Sequence, residues 1–320
     1  MKSENEKIAF GPVPSRRLGR SLGINNIPPK ICTYSCVYCQ LGRTLKMQIE
    51  RNAFYKPEKI FQDVKEKVNK VKRRGEAIDY LTFVPDGEPT LDIHLGQEIK
   101  LLKNLGLKIA VITNSSLIWR EDVRNDLYEA NWVSLKIDAW SKNVWRRVNR
   151  PYGSLRLDQI LKGISEFAKN FRGELATETM LLRGVNDRAE EIEKISDFIA
   201  QINPKKSYIA VPTRPPAEEW VKPPSEFVIN MAYQVFKRKS INTEYLVGYE
   251  GNAFAFTGDI EEDLLSITSV HPMREEAVYE LLKKADAKRD VLAKLMNENK
   301  MVEVKYKDKK YYLRKLVNYN

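Results

Sequence analysis

Every cysteine in this 320-residue chain lies in one eight-residue window, as Cys32, Cys36 and Cys39 in the spacing CxxxCxxC. Thiolates are the natural ligands of iron–sulfur clusters, and a [4Fe–4S] cube has four irons to hold. Three thiolates leave one iron open, and an open iron is where a small molecule can be bound and changed. A structural zinc site wants four ligands, and the only histidines, His94 and His271, are both remote in sequence. An odd cysteine count in so long a chain argues against a disulfide framework.

A loop of this kind needs a rigid frame, and the middle of the chain supplies the pattern for one. Short β-rich runs at 21–27, 80–85, 108–114, 132–138, 175–182, 208–212 and 244–249 are separated by amphipathic stretches such as 57–74, with Pro57 near its start, and 189–202. Strand–helix alternation at this spacing predicts a parallel sheet curled by right-handed crossovers. The fold expected is α/β, a partial (β/α)6 TIM-like barrel over residues 1–257, with its active site at the C-terminal strand ends.

The rhythm stops near Thr257. Apolar residues at Ala277, Val278, Leu281 and Leu282, then at Val291, Leu292, Leu295 and Met296, each mark one helical face. Val302, Val304 and Tyr306 alternate with charged residues before a turn at 307–310 and a returning strand at 311–316. Three helices and a hairpin over 258–320 outline a small winged-helix domain. Its hairpin is basic, with Lys305, Lys307, Lys309, Lys310, Arg314 and Lys315. That strip suits either nucleic-acid contact or a solvated edge.

Polar residues recur where the strands end on the cysteine side. They are Asp86-Gly87-Glu88-Pro89-Thr90, Thr113-Asn114-Ser115-Ser116, Ser134 with Lys136 and Asp138, Glu178 followed by Arg183 and Asn186, and Pro212-Thr213-Arg214. Arg16 and Arg17 precede the first expected strand and reach either an anionic substrate or solvent. Trp132, Trp140 and Trp145 suit packing better than base stacking. Glu250, after Tyr249, ends the last expected strand, and His271 shapes a turn between C-terminal helices.

These residues together resemble the radical SAM superfamily. The resemblance rests on CxxxCxxC after strand one with Tyr38 before the last cysteine, on Gly87-Glu88-Pro89, on Thr113-Asn114, and on Ser134-Leu135. It spans roughly residues 10–250. The preceding stretch GPVPSRRLGRSLGI is similar to a largely archaeal group of iron–sulfur oxidoreductases related to wyosine-type tRNA modification enzymes.

The resemblance implies a [4Fe–4S] cluster on the three cysteines and S-adenosylmethionine on the open iron. Reductive cleavage then gives methionine and a 5′-deoxyadenosyl radical that takes hydrogen from a substrate. It further implies Tyr38 near the adenine, Gly87 and Glu88 at the methionine amino group, and Asn114 and Ser134 at the ribose or carboxylate. Arg183 or Arg214 would pair with that carboxylate. Each also has a local role open to it: Tyr38 in packing, Glu88 in capping a turn, Asn114 and Ser134 in backbone bonds, Arg214 at the surface. No side chain is assigned a catalytic transfer.

The absence of further cysteines argues against a second cysteine-bound cluster, and so against the wyosine-forming enzyme itself. A net charge of +11 suits an anionic partner. The expected substrate is a nucleoside of RNA, tRNA first. The alternative is a peptide or protein held by the winged helix, and a non-enzymatic metal-sensing regulator comes last. An electron donor such as ferredoxin or flavodoxin is implied. No apolar run approaches the roughly 20 residues needed to span a bilayer, and the charged start MKSENEKIAF lacks a signal-peptide core. The expected location is therefore the cytoplasm, where thiols stay reduced.

Overall fold

The computed structural model describes residues 8–248 and 251–315; Tyr249, Glu250 and Leu316 lie outside the described residues. The chain opens with an antiparallel pair, β1 (Ala9–Ser15) and β2 (Gly19–Ile24), then two short strands, β3 (Ile31–Cys32) and β4 (Lys46–Met47). Alternation follows: α1 (Pro57–Arg73), β5 (Tyr80–Phe83), α2 (Leu95–Lys103), β6 (Lys108–Thr113), α3 (Glu121–Leu127), β7 (Trp132–Lys136), α4 (Lys142–Asn149), α5 (Leu157–Asn170), β8 (Glu174–Met180), α6 (Ala189–Ile202), β9 (Lys206–Ala210), α7 (Glu226–Arg238) and β10 (Thr243–Leu246).

The sheet order is β1-β2-β5-β6-β7-β8-β9-β10, and every pair after the first is parallel. This is the expected α/β sheet with six crossovers. The seventh parallel strand, β10, falls in the run expected at 244–249 and makes one more than a six-strand barrel holds, whereas the antiparallel edge, β1, is a strand that periodicity did not suggest. The run AFGPVPS of β1 is broken by glycine and prolines, and its register with β2 shifts between Phe10 and Val13. Both features hide a strand from a period-2 reading.

Alternate residues explain the two faces of the sheet. Leu22, Leu81, Phe83, Val111, Val133 and Leu135 point outward into the helix-covered core. Ala110, Trp132, Ala176, Tyr208, Ala210 and Leu246 point inward and pack on one another. The sheet is strongly curled. Strands lie about 4.8 Å apart, so β2 and β10 would be roughly 29 Å apart in a flat sheet. Yet Arg16, in the β1–β2 turn, donates to the Gly248 carbonyl at 3.1 Å just beyond β10. That bond needs the two sheet edges brought together.

After β10 come α8 (Ile260–Thr268), β11 (Met273–Arg274), α9 (Glu275–Lys284), α10 (Asp290–Asn297), β12 (Met301–Tyr306) and β13 (Lys309–Arg314), with strand order β11-β13-β12. The three helices and the hairpin fall where the pattern put them; β11 is an addition. The core of this segment is not closed on itself. Leu264, Ile267, Val278, Leu281 and Leu295 share one cluster with Phe10 and Val13 of β1. Lys67 of α1 reaches across to Asp263 at 2.9 Å and Thr257 Oγ1 at 2.8 Å, all three buried.

The hairpin lies on the mouth of the sheet. Tyr306 Oη and Lys307 Nζ donate to the Pro212 carbonyl at 3.2 Å each, and Tyr311 Oη donates to the Thr213 carbonyl at 2.9 Å. Part of its basic strip is already paired: Lys309 with Glu276 at 3.3 Å, and Lys310 with Glu275 at 3.5 Å and Glu303 at 3.4 Å.

Removing one partner of a buried ion pair leaves the other charge uncompensated, at a cost of about 3–5 kcal/mol. Lys67→Ala should therefore lower unfolding free energy by about that amount in urea titration, whereas the exposed Lys59→Ala should change it by less than about 1 kcal/mol.

Candidate active site

The cysteine loop runs from β3 across the C-terminal ends of the strands. At its start it lies directly against the turn after β5. A Cβ on Gly87 would sit 2.0 Å from the Ile31 carbonyl oxygen, so only glycine lets the two backbones meet. There Glu88 N–H donates to the Ile31 carbonyl at 3.3 Å, and Lys30 N–H to the Asp86 carbonyl at 2.7 Å. Lys30 also pairs with the buried Asp86 carboxylate at 3.3 Å. Burial pushes Asp86 up to about 6, and Lys30 opposes that shift.

Glu88 is fully buried, and its carboxylate accepts four hydrogen bonds. They come from Thr90 N at 3.1 Å, Thr90 Oγ1 at 2.6 Å, Thr113 Oγ1 at 2.6 Å and Asn114 N at 2.7 Å. Burial raises its pKa, and these donors oppose the rise. The carboxylate thus clamps the end of β5 to the end of β6. Asn114 continues the chain of contacts. Its Nδ2 donates to Thr33 Oγ1 at 2.8 Å and lies 3.5 Å from Cys32 Sγ, while its Oδ1 accepts from Ser116 N at 2.9 Å.

A second anchor comes from β7 and α4. Asp138 Oδ2 accepts from Tyr38 Oη and from Asn149 Nδ2 at 2.8 Å, and its Oδ1 accepts from Met180 N at 2.9 Å. Asn149 Nδ2 also lies 3.4 Å from Cys36 Sγ. Lys136 sits 5.1 Å over the Tyr38 ring. Asn149 escaped notice in the sequence: an asparagine near a helix end reads as a cap, and nothing local links it to a cysteine far upstream.

Desolvation raises the pKa of all three thiols, Cys36 to about 12. A bound metal reverses that preference by deprotonating the thiol outright. Two amide N–H groups aimed at sulfur, three thiols and no fourth cysteine suit a cluster with one open position. Among the described residues no three His, Cys, Asp or Glu side chains converge closely enough for a single ion.

Inside the curl lies a cavity of about 250 Å³, lined by Tyr38, Cys39, Arg17, Lys136, Glu178 and Arg214 among others. Glu178 on β8 bridges two cations, Lys136 at 2.6 Å and Arg17. Burial lowers the Lys136 pKa. Arg16 and Arg17 therefore face the barrel interior and its seam.

The remaining expected residues separate. Ser134 is fully buried on β7 and its hydroxyl has no partner among the described residues. Arg214 lines the cavity, with Nη1 donating to Gln40 Oε1 at 2.8 Å and Nη2 3.0 Å from His271 Nε2. Gln40 follows Cys39, so Arg214 ties the cysteine loop to the C-terminal segment. Arg183 turns away from the cavity, its Nε donating to the Pro223 carbonyl at 3.1 Å in an exposed setting. Trp132 and Trp145 are buried, but Trp140 is 40% exposed.

The comparisons with known proteins follow this geometry. The family model described as the radical SAM superfamily matches residues 26–199. A UPF0026 protein of Methanocaldococcus jannaschii is 50% identical over 97% of this chain and 96% of its own length. A dual-specificity RNA methyltransferase, RlmN, of Buchnera aphidicola is 25% identical over 57% of this chain and 55% of its own. A radical SAM methyltransferase of Sphaerobacter thermophilus has a similar fold, with TM-score 0.53 and 13% identity over 71% of this chain and 66% of that one.

Hydrogen bonds to a charged acceptor are worth about 1.5–3 kcal/mol each, and an amide in its place turns N–H groups toward donors. Glu88→Gln should lower unfolding free energy by about 2–4 kcal/mol on that basis. It should also reduce the iron retained after anaerobic reconstitution; full stability and full iron would refute the clamp.

Proposed function

The chain belongs to the radical SAM superfamily, and from that premise we propose an enzyme that modifies an RNA nucleoside, tRNA first, at the mouth of the curled sheet. Membership of the family brings S-adenosylmethionine and an iron–sulfur cluster with it. The cluster type proposed is [4Fe–4S], held by Cys32, Cys36 and Cys39. When bound, the cofactor pair supplies reductive cleavage to a 5′-deoxyadenosyl radical that takes hydrogen from the substrate. The observation that carries the reading is the three-thiol loop fixed across the strand ends beside a charged cavity.

The residues do the positioning. Asn114 and Asn149 donate toward Sγ atoms, and hydrogen bonds to sulfur set cluster potential. The Glu88 carboxylate is filled by its four donors, so the backbone of Gly87 and Glu88 is the part proposed to meet the methionine amino group. Tyr38, held by Asp138, is proposed at the adenine. Ser134 offers its buried hydroxyl to the ribose or carboxylate. Of the two arginines, Arg214 is favoured over Arg183 for the carboxylate, because it lines the cavity and Arg183 does not. Val84, Ile112, Ala210 and Leu246 form an apolar part of the cavity wall, which helps exclude water from a radical.

For the substrate, the net charge of +11 and the cations at the mouth favour an anionic polymer. The likeness to an RNA methyltransferase points the same way. The C-terminal order of helix, strand, two helices and hairpin is read as a winged helix. Its partly compensated hairpin, docked on Pro212 and Thr213, favours a second reading: a peptide substrate guided by that module. A ferredoxin or flavodoxin is the proposed electron donor. Among the described residues no helix is long and apolar enough to cross a membrane.

Two measurements test this. The reduced, reconstituted protein should form 5′-deoxyadenosine from S-adenosylmethionine, and Cys36→Ser should abolish that product. Modified nucleosides in tRNA should differ between wild-type and deletion strains; identical profiles, with a peptide bound instead, would replace RNA by the second reading.

A further inference from the structure

Adjoining parts of the α4 surface have different partners. Its inner face holds the cysteine loop. Trp145 Nε1 donates to Tyr34 Oη at 3.1 Å, Asn149 reaches Cys36, and the Val148 carbonyl accepts from Val37 N at 2.9 Å. The flank beside that face carries Lys142 and Arg146, four residues apart and so neighbours on the helix surface. Both are exposed, and neither has an ion pair or side-chain hydrogen bond among the described residues. Arg150, one turn further, is by contrast paired with Glu218.

Unpaired surface cations occur elsewhere on this protein. Here they wall a groove of about 720 Å³ between the β7–α4 loop and the start of α5. Trp140, exposed on one side, forms part of the same wall; its backbone N–H is fixed by Glu191 Oε1 at 2.7 Å. Arg156 lies across the groove, and the acidic residue there, Asp158, is neutralised by Arg156 at 2.8 Å. Leu157 and Leu161 form the apolar floor. A rigid indole, free cations and an apolar floor are the elements of a single-strand nucleic-acid groove, where bases stack and phosphates meet cations.

We infer that this groove binds a single-stranded segment of the RNA substrate, one base stacked on Trp140 and adjacent phosphates on Lys142 and Arg146. The inference rests on the RNA reading above and adds the surface that delivers the strand. The Trp140 loop is on the cysteine side of the sheet, and α4 is about 10 Å thick. A strand held on its flank, beside the face that carries Asn149, therefore lies within a nucleotide or two of the mouth.

The test uses full-length protein and an unmodified tRNA transcript, with affinity measured across a salt series. Lys142→Gln/Arg146→Gln should weaken binding and flatten the log–log salt slope by about 1–2. Trp140→Ala should weaken binding about 5- to 100-fold with the slope unchanged. Lys72→Gln/Arg73→Gln on α1 removes the same net charge at a distant exposed site and should change much less. Unfolding midpoint and iron content check that each variant is folded. If the α1 pair costs as much as the α4 pair, or if neither α4 nor Trp140 variants lose affinity, the groove is refuted while RNA binding stands. If the wild-type protein binds no RNA even at low salt, both readings fall.

Discussion

The four-donor carboxylate of Glu88 and the bare backbone of Gly87 form the joint on which the site depends. One fixes the turn after β5 to the end of β6; the other lets the cysteine loop lie directly on that turn. A buried carboxylate is tolerated only when its lone pairs are filled, and here Thr90, Thr113 and Asn114 fill them. Asn114 is then held at the angle from which its amide meets Cys32. The geometry of a thiol is thus set two contacts away, by a side chain that makes no hydrogen bond to any thiol.

Asp138 does for Cys36 and Tyr38 what Glu88 does for Cys32. It collects Tyr38, Asn149 and the backbone of Met180 on one carboxylate, binding β7, β8, α4 and the loop together. Polar networks of this kind are costly when incomplete and rigid when complete. The cavity below is different. Glu178 there faces two cations, so the interior carries excess positive charge. The β1–β2 turn supplies Arg17 to that interior and Arg16 to the seam between the sheet edges. The C-terminal segment closes the arrangement from above through Arg214, His271 and the hairpin on Pro212.

Much of this was legible in the chain. Hydrophobic alternation gave the parallel strands, because buried strands need apolar residues on the helix-covered face. The helical faces of 275–285 and 288–297 came through for the same reason. The cysteine spacing and the polar strand ends marked the site, since the fold puts all strand ends on one side. What stayed hidden were features of shape. The edge strand β1 is masked by glycine and prolines, and Asn149 meets Cys36 only after α4 folds back. Trp140 and Trp145 look alike in sequence, yet one is exposed in a groove and the other is buried against Tyr34.

The sequence by itself determined the donor set: three thiols, no fourth, and an α/β frame with acidic and amide groups at its strand ends. Those are matters of residue type and local period, which need no third dimension. Only the tertiary structure decided which groups are spent and which are available. Glu88, chemically able to meet a ligand, is consumed as a clamp. Arg183 points away while Arg214 points in. Among the described residues Lys142 and Arg146 meet no carboxylate, while Arg150 finds one. The physical reason is that hydrogen bonds and ion pairs saturate. A side chain's chemistry is fixed by its type, but its availability depends on the neighbours that folding brings to it.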